Sequence, residues 1–171
     1  MPSNASRMVA MTVLFALWLT GCGPKVKTNT PAGVSFASYA TIAYGGRQGP
    51  PEGFERATLP PKAMAQALAA ARDTLTAGGW KETSVEEADV VVYAGTGRRL
   101  QGERSGGYTG VNFEVMVEKG AIVLDAFDRE TGELLWQGQV EGTIKPPIDD
   151  FPALRQAVAA LLERFPAPGS K

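Results

Sequence analysis

The chain has no histidine and only one cysteine among its 171 residues. Without histidine there is no Ser-His-Asp or Cys-His catalytic set and no imidazole-held metal. A single cysteine makes neither an internal disulfide nor a thiolate cluster. An excess of basic charge is missing too: 17 Lys and Arg stand against 18 Asp and Glu, a net −1. Nucleic-acid binders carry a basic stripe, so no nucleic-acid partner is expected. Long apolar runs are scarce. Only Met8–Leu19 is dense, 12 residues with Thr12 as the one polar side chain. As a helix it would reach about 18 Å, at 1.5 Å per residue, against about 30 Å for a bilayer core. The run is too short to span and has the size of a signal-peptide hydrophobic segment, with Arg7 before it. What is present in ordinary measure is apolar residues, 44% of the chain, enough for a globular core.

Directly after that run stands Leu19-Thr20-Gly21-Cys22. This resembles the lipobox of bacterial lipoproteins, in which the peptide is cut before the cysteine and the thiol carries lipid. Each buried CH₂ adds about 0.8 kcal/mol of membrane affinity, so two or three chains give lasting anchorage. The resemblance implies removal of residues 1–21 and lipidation of Cys22. That leaves 16 basic and 18 acidic residues, a net −2. Gly23, in place of Asp, implies outer-membrane sorting by similarity to Gram-negative lipoproteins. Residues 22–33, rich in Pro, Gly, Thr and Lys, read as the lipidated Cys and a flexible tether. Residues 34–171 read as one domain.

Val34–Tyr44 suits a first strand, strongest over Ala40–Tyr44, with a turn at Ala37-Ser38. Gly45–Pro61 holds four Pro and four Gly and reads as a loop. Met64, Ala67, Leu68, Ala71 and Leu75 line one face of a helix over Lys62–Gly78. Ala88–Thr96 is a continuous apolar run, as in a strand covered on both faces. Gly97–Asn112 has five Gly and reads as a long mobile loop or loose hairpin. Phe113–Phe127 changes apolar phase near Gly120, so one long strand with a bulge is expected there, with a tight turn as the other choice. Asp128–Gly132 forms a hairpin turn. The next strand puts Leu134, Trp136 and Val140 on one side and Leu135, Gln137, Gln139 and Glu141 on the other. A last helix is capped by Asp149 or Asp150, with Phe151, Leu154, Val158, Leu161, Leu162 and Phe165 as its stripe. The order β-α-β-β-β-α gives an α+β class.

Phe36/Tyr39/Thr41, Gly78–Trp80, Ala88–Tyr93, Asp128–Gly138 and Arg164–Pro166 together resemble the bacterial lipoprotein family known as domain of unknown function 4136. The family often has a short strand before its Phe-x-x-Tyr segment, where this chain offers only the tether. The resemblance implies a periplasm-facing, two-layer domain, a mixed sheet with two helices on one face, similar to the TolB N-terminal domain and the anticodon-binding-like fold. It brings no catalytic residues and no cofactor.

Gly95-Thr96-Gly97 begins like a dinucleotide fingerprint, but Leu100 stands where the third glycine belongs. Asp128 and Asp149-Asp150 are explained as turn and cap residues. Asp125 lies among apolar strand neighbours and suits a sheet-face residue pairing with an arginine. Trp80 and Trp136 suit the core. The Gly-rich segment with Arg98, Arg99, Arg104 and Tyr108 is the candidate interaction loop, read against an ordinary solvated one. These features point to a non-catalytic, lipid-anchored binding module for an envelope component. A carrier of a small apolar or lipid ligand is the alternative, and a carboxylate-dependent cell-wall hydrolase is the third.

Overall fold

The computed structural model describes residues 25–106, 112–143 and 151–170. The strands are β1 (Lys25–Asn29), β2 (Thr41–Arg47), β3 (Glu55–Arg56), β4 (Lys81–Glu82), β5 (Val90–Gly106), β6 (Asn112–Asp128) and β7 (Leu134–Thr143). The helices are α1 (Pro61–Ala77) and α2 (Phe151–Leu162). One mixed sheet runs β1-β7-β6-β5-β2-β4, with β3 on the outer part of β5. β2 is parallel to β5 and β4, whereas β5, β6, β7 and β1 are successively antiparallel. The α+β class expected from the sequence is the class observed.

Alternation in the strands decides which face is covered. Ile42, Val90, Val92, Leu124, Ala126, Trp136 and Val140 point to one side. There they meet Ala70, Ala71 and Leu75 of α1 and Val158, Leu161 and Leu162 of α2 in a single buried cluster. The Ala-rich face of α1 lets it approach closely. Pro60 and Pro61 open that helix, and Gly79, at φ +94°, lets the chain leave it. Beyond the helix ends an aromatic group closes the core. Phe165 stacks edge-on to Trp136 at 4.9 Å and to Phe36 at 5.7 Å, and Trp80 donates its indole N–H to the Pro166 carbonyl at 3.0 Å. Both tryptophans are core residues, as expected.

Three expectations need correction. Lys25–Asn29, read as part of the tether, is edge strand β1, paired with Gln137–Glu141. Only Val26 of its five residues turns toward the core, so its ladder bonds hold it and its composition does not announce it. Gly97–Gly106, read as a mobile loop or a loose hairpin, is no loop but one arm of a hairpin: it continues β5 in unbroken register with β6, from Val90↔Asp128 to Gly106↔Asn112. β6 is thus one long strand, as preferred, but with no bulge against β5 at Gly120. The apolar phase changes because Ile122 and Leu124 lie under the helices, whereas Val117 lies beyond them on the other face. The irregularity falls instead in β7. Ala126 pairs with Trp136 and Phe127 with Leu134, leaving Leu135 as the extra residue. That residue turns inward, so Leu135 and Trp136 are both buried in the core. The caps expected at Asp149 or Asp150 lie outside the described residues. Among the described residues no helix is long and apolar enough to cross a membrane.

Candidate functional site

Helices cover one side of the sheet, so the site is sought on the other. There the loop between β2 and β3 folds back over the middle of β5. The Gln48 N–H donates to Ala94 O at 3.0 Å and the Ala57 N–H to Thr96 O at 3.1 Å. Pro51 and Phe54 are buried against Gly97, where only a glycine leaves room. The rest of this face is mixed: Ala121 and Val123 of β6 are buried on it, and Arg99, Asp125, Gln137, Gln139, Glu141 and Lys27 carry its polar groups.

Glu141 is its hub. Its carboxylate accepts from Arg99 Nη2 at 3.0 Å, from Gln139 Nε2 at 2.9 Å and from Lys27 Nζ at 3.4 Å. The Arg99 guanidinium also lies 4.4 Å from the centre of the Phe54 ring, a cation–π contact. Asp125 sits between Tyr93 and Gln137 in the register of the neighbouring strands. Three polar atoms along this face are buried and unbonded: Gln48 Nε2, Arg99 Nε and Asp125 Oδ1. Buried polar atoms in folded proteins are almost always satisfied.

The sequence-derived candidates separate here. Arg99 belongs to this polar face. Arg98, one residue earlier, points to the opposite face and pairs with Glu118 at 3.7 Å. Arg104 is in β5, across from Glu114. Tyr108 lies outside the described residues, as do Leu19, Thr20, Gly21 and Cys22. The three arginines are thus strand residues, not members of one loop. Glu141, Gln139, Lys27 and Gln48 were not singled out as site residues. The alternation of Gln137, Gln139 and Glu141 did mark the polar side of β7. Nothing local in the sequence joins them to Arg99, which is 42 residues from Glu141. Asp125 is a sheet-face residue, as expected; among the described residues no arginine is seen on it, and its Oδ1 has no partner there.

A second acidic group holds the far end of the sheet. Asp128 accepts from the Tyr39 hydroxyl at 2.6 Å and from the Glu130 and Thr131 N–H groups at 2.8 and 2.7 Å. Asp89 accepts from the Ala40 and Thr41 N–H groups, each at 2.8 Å. The Tyr39 hydroxyl and the turn N–H groups hold the Asp128 carboxyl below the usual carboxylate range. Burial alone would raise Asp89, but the two backbone donors bring it below that range as well. The same bond pushes the Tyr39 hydroxyl up to about 12. All these donors are local structure, so the pair fastens β2, β5 and the hairpin turn. Asp125 and Asp128, three residues apart on one strand, point to opposite faces. The converging carboxylates of a glycosidase, roughly 5–10 Å apart, are not formed by this pair.

The acid side of stability follows. Both carboxyls are depressed in the folded state, so their contribution is full above the unfolded value of 3.8 and fades as the pH falls through the lower folded value. Asp128→Asn is expected to melt several degrees below wild type at neutral pH. That gap should narrow progressively below pH 3.8. A gap constant from neutral pH to pH 2 in thermal melts would show that the charge of Asp128 contributes nothing.

The fold has solved counterparts. A DUF4136 family protein from Bacteroides thetaiotaomicron is 14% identical, with 84% of this chain and 96% of that one covered and a TM-score of 0.56. A PDZ domain protein from Parabacteroides distasonis is 12% identical, covering 86% of this chain and 38% of that one, at a TM-score of 0.53. The PelC dodecamer from Paraburkholderia phytofirmans is 14% identical over 86% of this chain and 97% of that one, at a TM-score of 0.47. At such identities the likeness is one of fold. No match is found among the curated proteins. The family described as domain of unknown function (DUF4136) matches residues 26–167, from the first strand to the end of the aromatic closure. The chain belongs to the DUF4136 family.

Proposed function

We propose that this chain is an envelope lipoprotein, anchored through lipid on Cys22 to the outer membrane and facing the periplasm, where it acts as a non-catalytic binding module. The lipobox directly after a 12-residue apolar run supports the anchor. The observation that carries the binding role is the polar cluster on the helix-free side of the sheet, where Arg99, Gln139 and Lys27 converge on the Glu141 carboxylate. A polar partner suits these charged and amide side chains better than an apolar ligand does. The carrier alternative would use a cleft of about 580 Å³ at the helix ends, walled by Leu75, Trp80, Leu162 and Phe165.

Two measurements test this reading. Cys22→Ser should abolish incorporation of an alkyne-labelled fatty acid and move the protein from the membrane to the soluble fraction. Unchanged membrane association would refute lipid anchoring. Cross-linking of the tagged protein in intact cells, read by mass spectrometry, should give a reproducible adduct. Asp125→Lys, which places a bulky cation on the polar face, should remove it. An adduct that survives Asp125→Lys moves the binding surface elsewhere. Lipid co-purifying with the soluble form, in place of any adduct, favours the carrier.

A further inference from the structure

The sheet has two unlike ends. β7 accompanies β6 only as far as Thr143↔Lys119, and β3 leaves β5 at Arg98. From Leu100↔Glu118 to Gly106↔Asn112, β5 and β6 run on as a two-stranded ribbon that no other described strand accompanies. A lone ribbon is at best marginally stable in water. This one carries two of the three exposed large apolar side chains among the described residues, Leu100 at 70% and Met116 at 59% exposure. Leu100 faces Glu118 and Gly102 faces Met116, so Leu100 and Met116 are diagonal neighbours on one face of the ribbon.

The start of β1 lies at this same end. Lys25 is level with Glu141, Ala121 and Gly97 across the sheet. Three residues separate Lys25 from Cys22, and no conformation lets them reach beyond about 11 Å. The ribbon rises about 30 Å past the level of Gly97, at about 3.3 Å per residue. A lipid on Cys22 therefore holds the ribbon against the leaflet: Leu100 stands about as far above Lys25 as Cys22 can reach. The ribbon is not built to cross the hydrocarbon: among the described residues no strand pairs with its outer edges, and their N–H and C=O groups call for water or headgroups. Between crossing and standing clear, the reach leaves lying along the interface.

We propose that the β5–β6 ribbon lies in the interfacial layer of the phospholipid leaflet that holds the Cys22 lipid, with the face bearing Leu100 and Met116 turned to the acyl chains. This rests on the anchoring reading given above. It makes the ribbon a second membrane contact that fixes the orientation of the domain, leaving the polar sheet face toward the periplasm.

Because Cys22 is the only cysteine, Leu100→Cys and Met116→Cys each give the lipidated protein one free thiol for a nitrobenzoxadiazole label. Glu130→Cys, in the turn at the opposite end of the sheet, is the reference. All three positions are exposed, so folding is not at risk. In vesicles of phosphatidylethanolamine and phosphatidylglycerol, shallow doxyl-labelled lipid is expected to quench the labels at 100 and 116 several-fold more than the label at 130. Intact-mass measurement on the same sample reports whether Cys22 carries lipid. Equal quenching at all three positions with Cys22 lipidated overturns the ribbon contact and leaves the anchor standing. An unlipidated Cys22 overturns the anchor, and the ribbon proposal with it. Labels at 100 and 116 that are shielded from water yet indifferent to doxyl lipid, with cross-linked dimers in the same sample, assign the face to a second copy and also overturn the proposal.

Discussion

Trp136→Ala is expected to lower stability by about 3–5 kcal/mol, the range for removing a large aromatic from a core. Thermal melting should fall by about 6–20 °C, given about 2–4 °C per kcal/mol in a domain of this size. The indole is 1% exposed and touches elements from three parts of the chain. It packs edge-on to Phe165 after α2, pairs with Ala126 in β6, and lies over Gly138 in its own strand. A Cβ on Gly138 would strike the Trp136 ring and stand 2.7 Å from Leu161 Cδ1. That contact shows how little the site can relax. Trp136→Phe should recover more than half of the loss by keeping an aromatic edge on Phe165. A Trp136→Ala loss under about 1 kcal/mol in chemical denaturation would mean that the helix layer is held by something other than this contact.

Much of this arrangement is legible in the sequence because it rests on periodicity. Ala67, Ala71 and Leu75 of the α1 stripe, the run Val90–Val92 and the inward Ile122, Leu124 and Ala126 each repeat at the spacing of their element, although Met64 and Leu68 of that stripe lie outside the core and Ala70 takes a place in it. Packing follows directly from that spacing. The turn Asp128–Gly132 is legible for a local reason as well: the aspartate side chain binds the turn N–H groups, and Gly132 takes φ +71°. What resists reading depends on partners far along the chain. β1 is a strand because β7 offers it a ladder, while its own Lys-Val-Lys-Thr-Asn looks like linker. The Gly-rich half of β5 is a strand because β6 runs beside it in register, although glycine itself weakens strands. Leu134 and Leu135 are chemically alike, so nothing local says which one the bulge will turn inward. The polar site resists for the same reason. Each of its residues reads as an ordinary solvated side chain until topology sets Arg99 against Glu141 and closes the 48–57 loop over Gly95.

That loop closure gives the second large effect. Gly95→Val is expected to cost about 1–3 kcal/mol, as overpacking does, and to abolish partner binding as well. A Cβ on Gly95 would run into the Gly49 carbonyl oxygen. It would also lie 2.8 Å from Val123 Cγ1 and 3.2 Å from Gln48 Cγ. Val123 is fixed in the centre of the sheet, so the loop must yield. Lifting it breaks the Gln48–Ala94 and Ala57–Thr96 backbone bonds and unseats Phe54. Arg99 then loses the ring it lies on, and Gln48 leaves the polar face. Hydrogen exchange should therefore quicken at the Gln48 and Ala57 amides. The Gly132 amide, bonded to Asp128 O at the far end of the sheet, should stay protected. Gly46→Ala, in the same stretch of chain, meets nothing within 4 Å and should stay within about 0.5 kcal/mol of wild type. If Gly95→Val leaves both loop amides protected and the cross-linked adduct intact, the loop is not what shapes the polar face. If the amides open while the adduct persists, the partner is held by Glu141, Gln139 and Asp125 alone. The loss of both together is the outcome that ties binding to the closed loop.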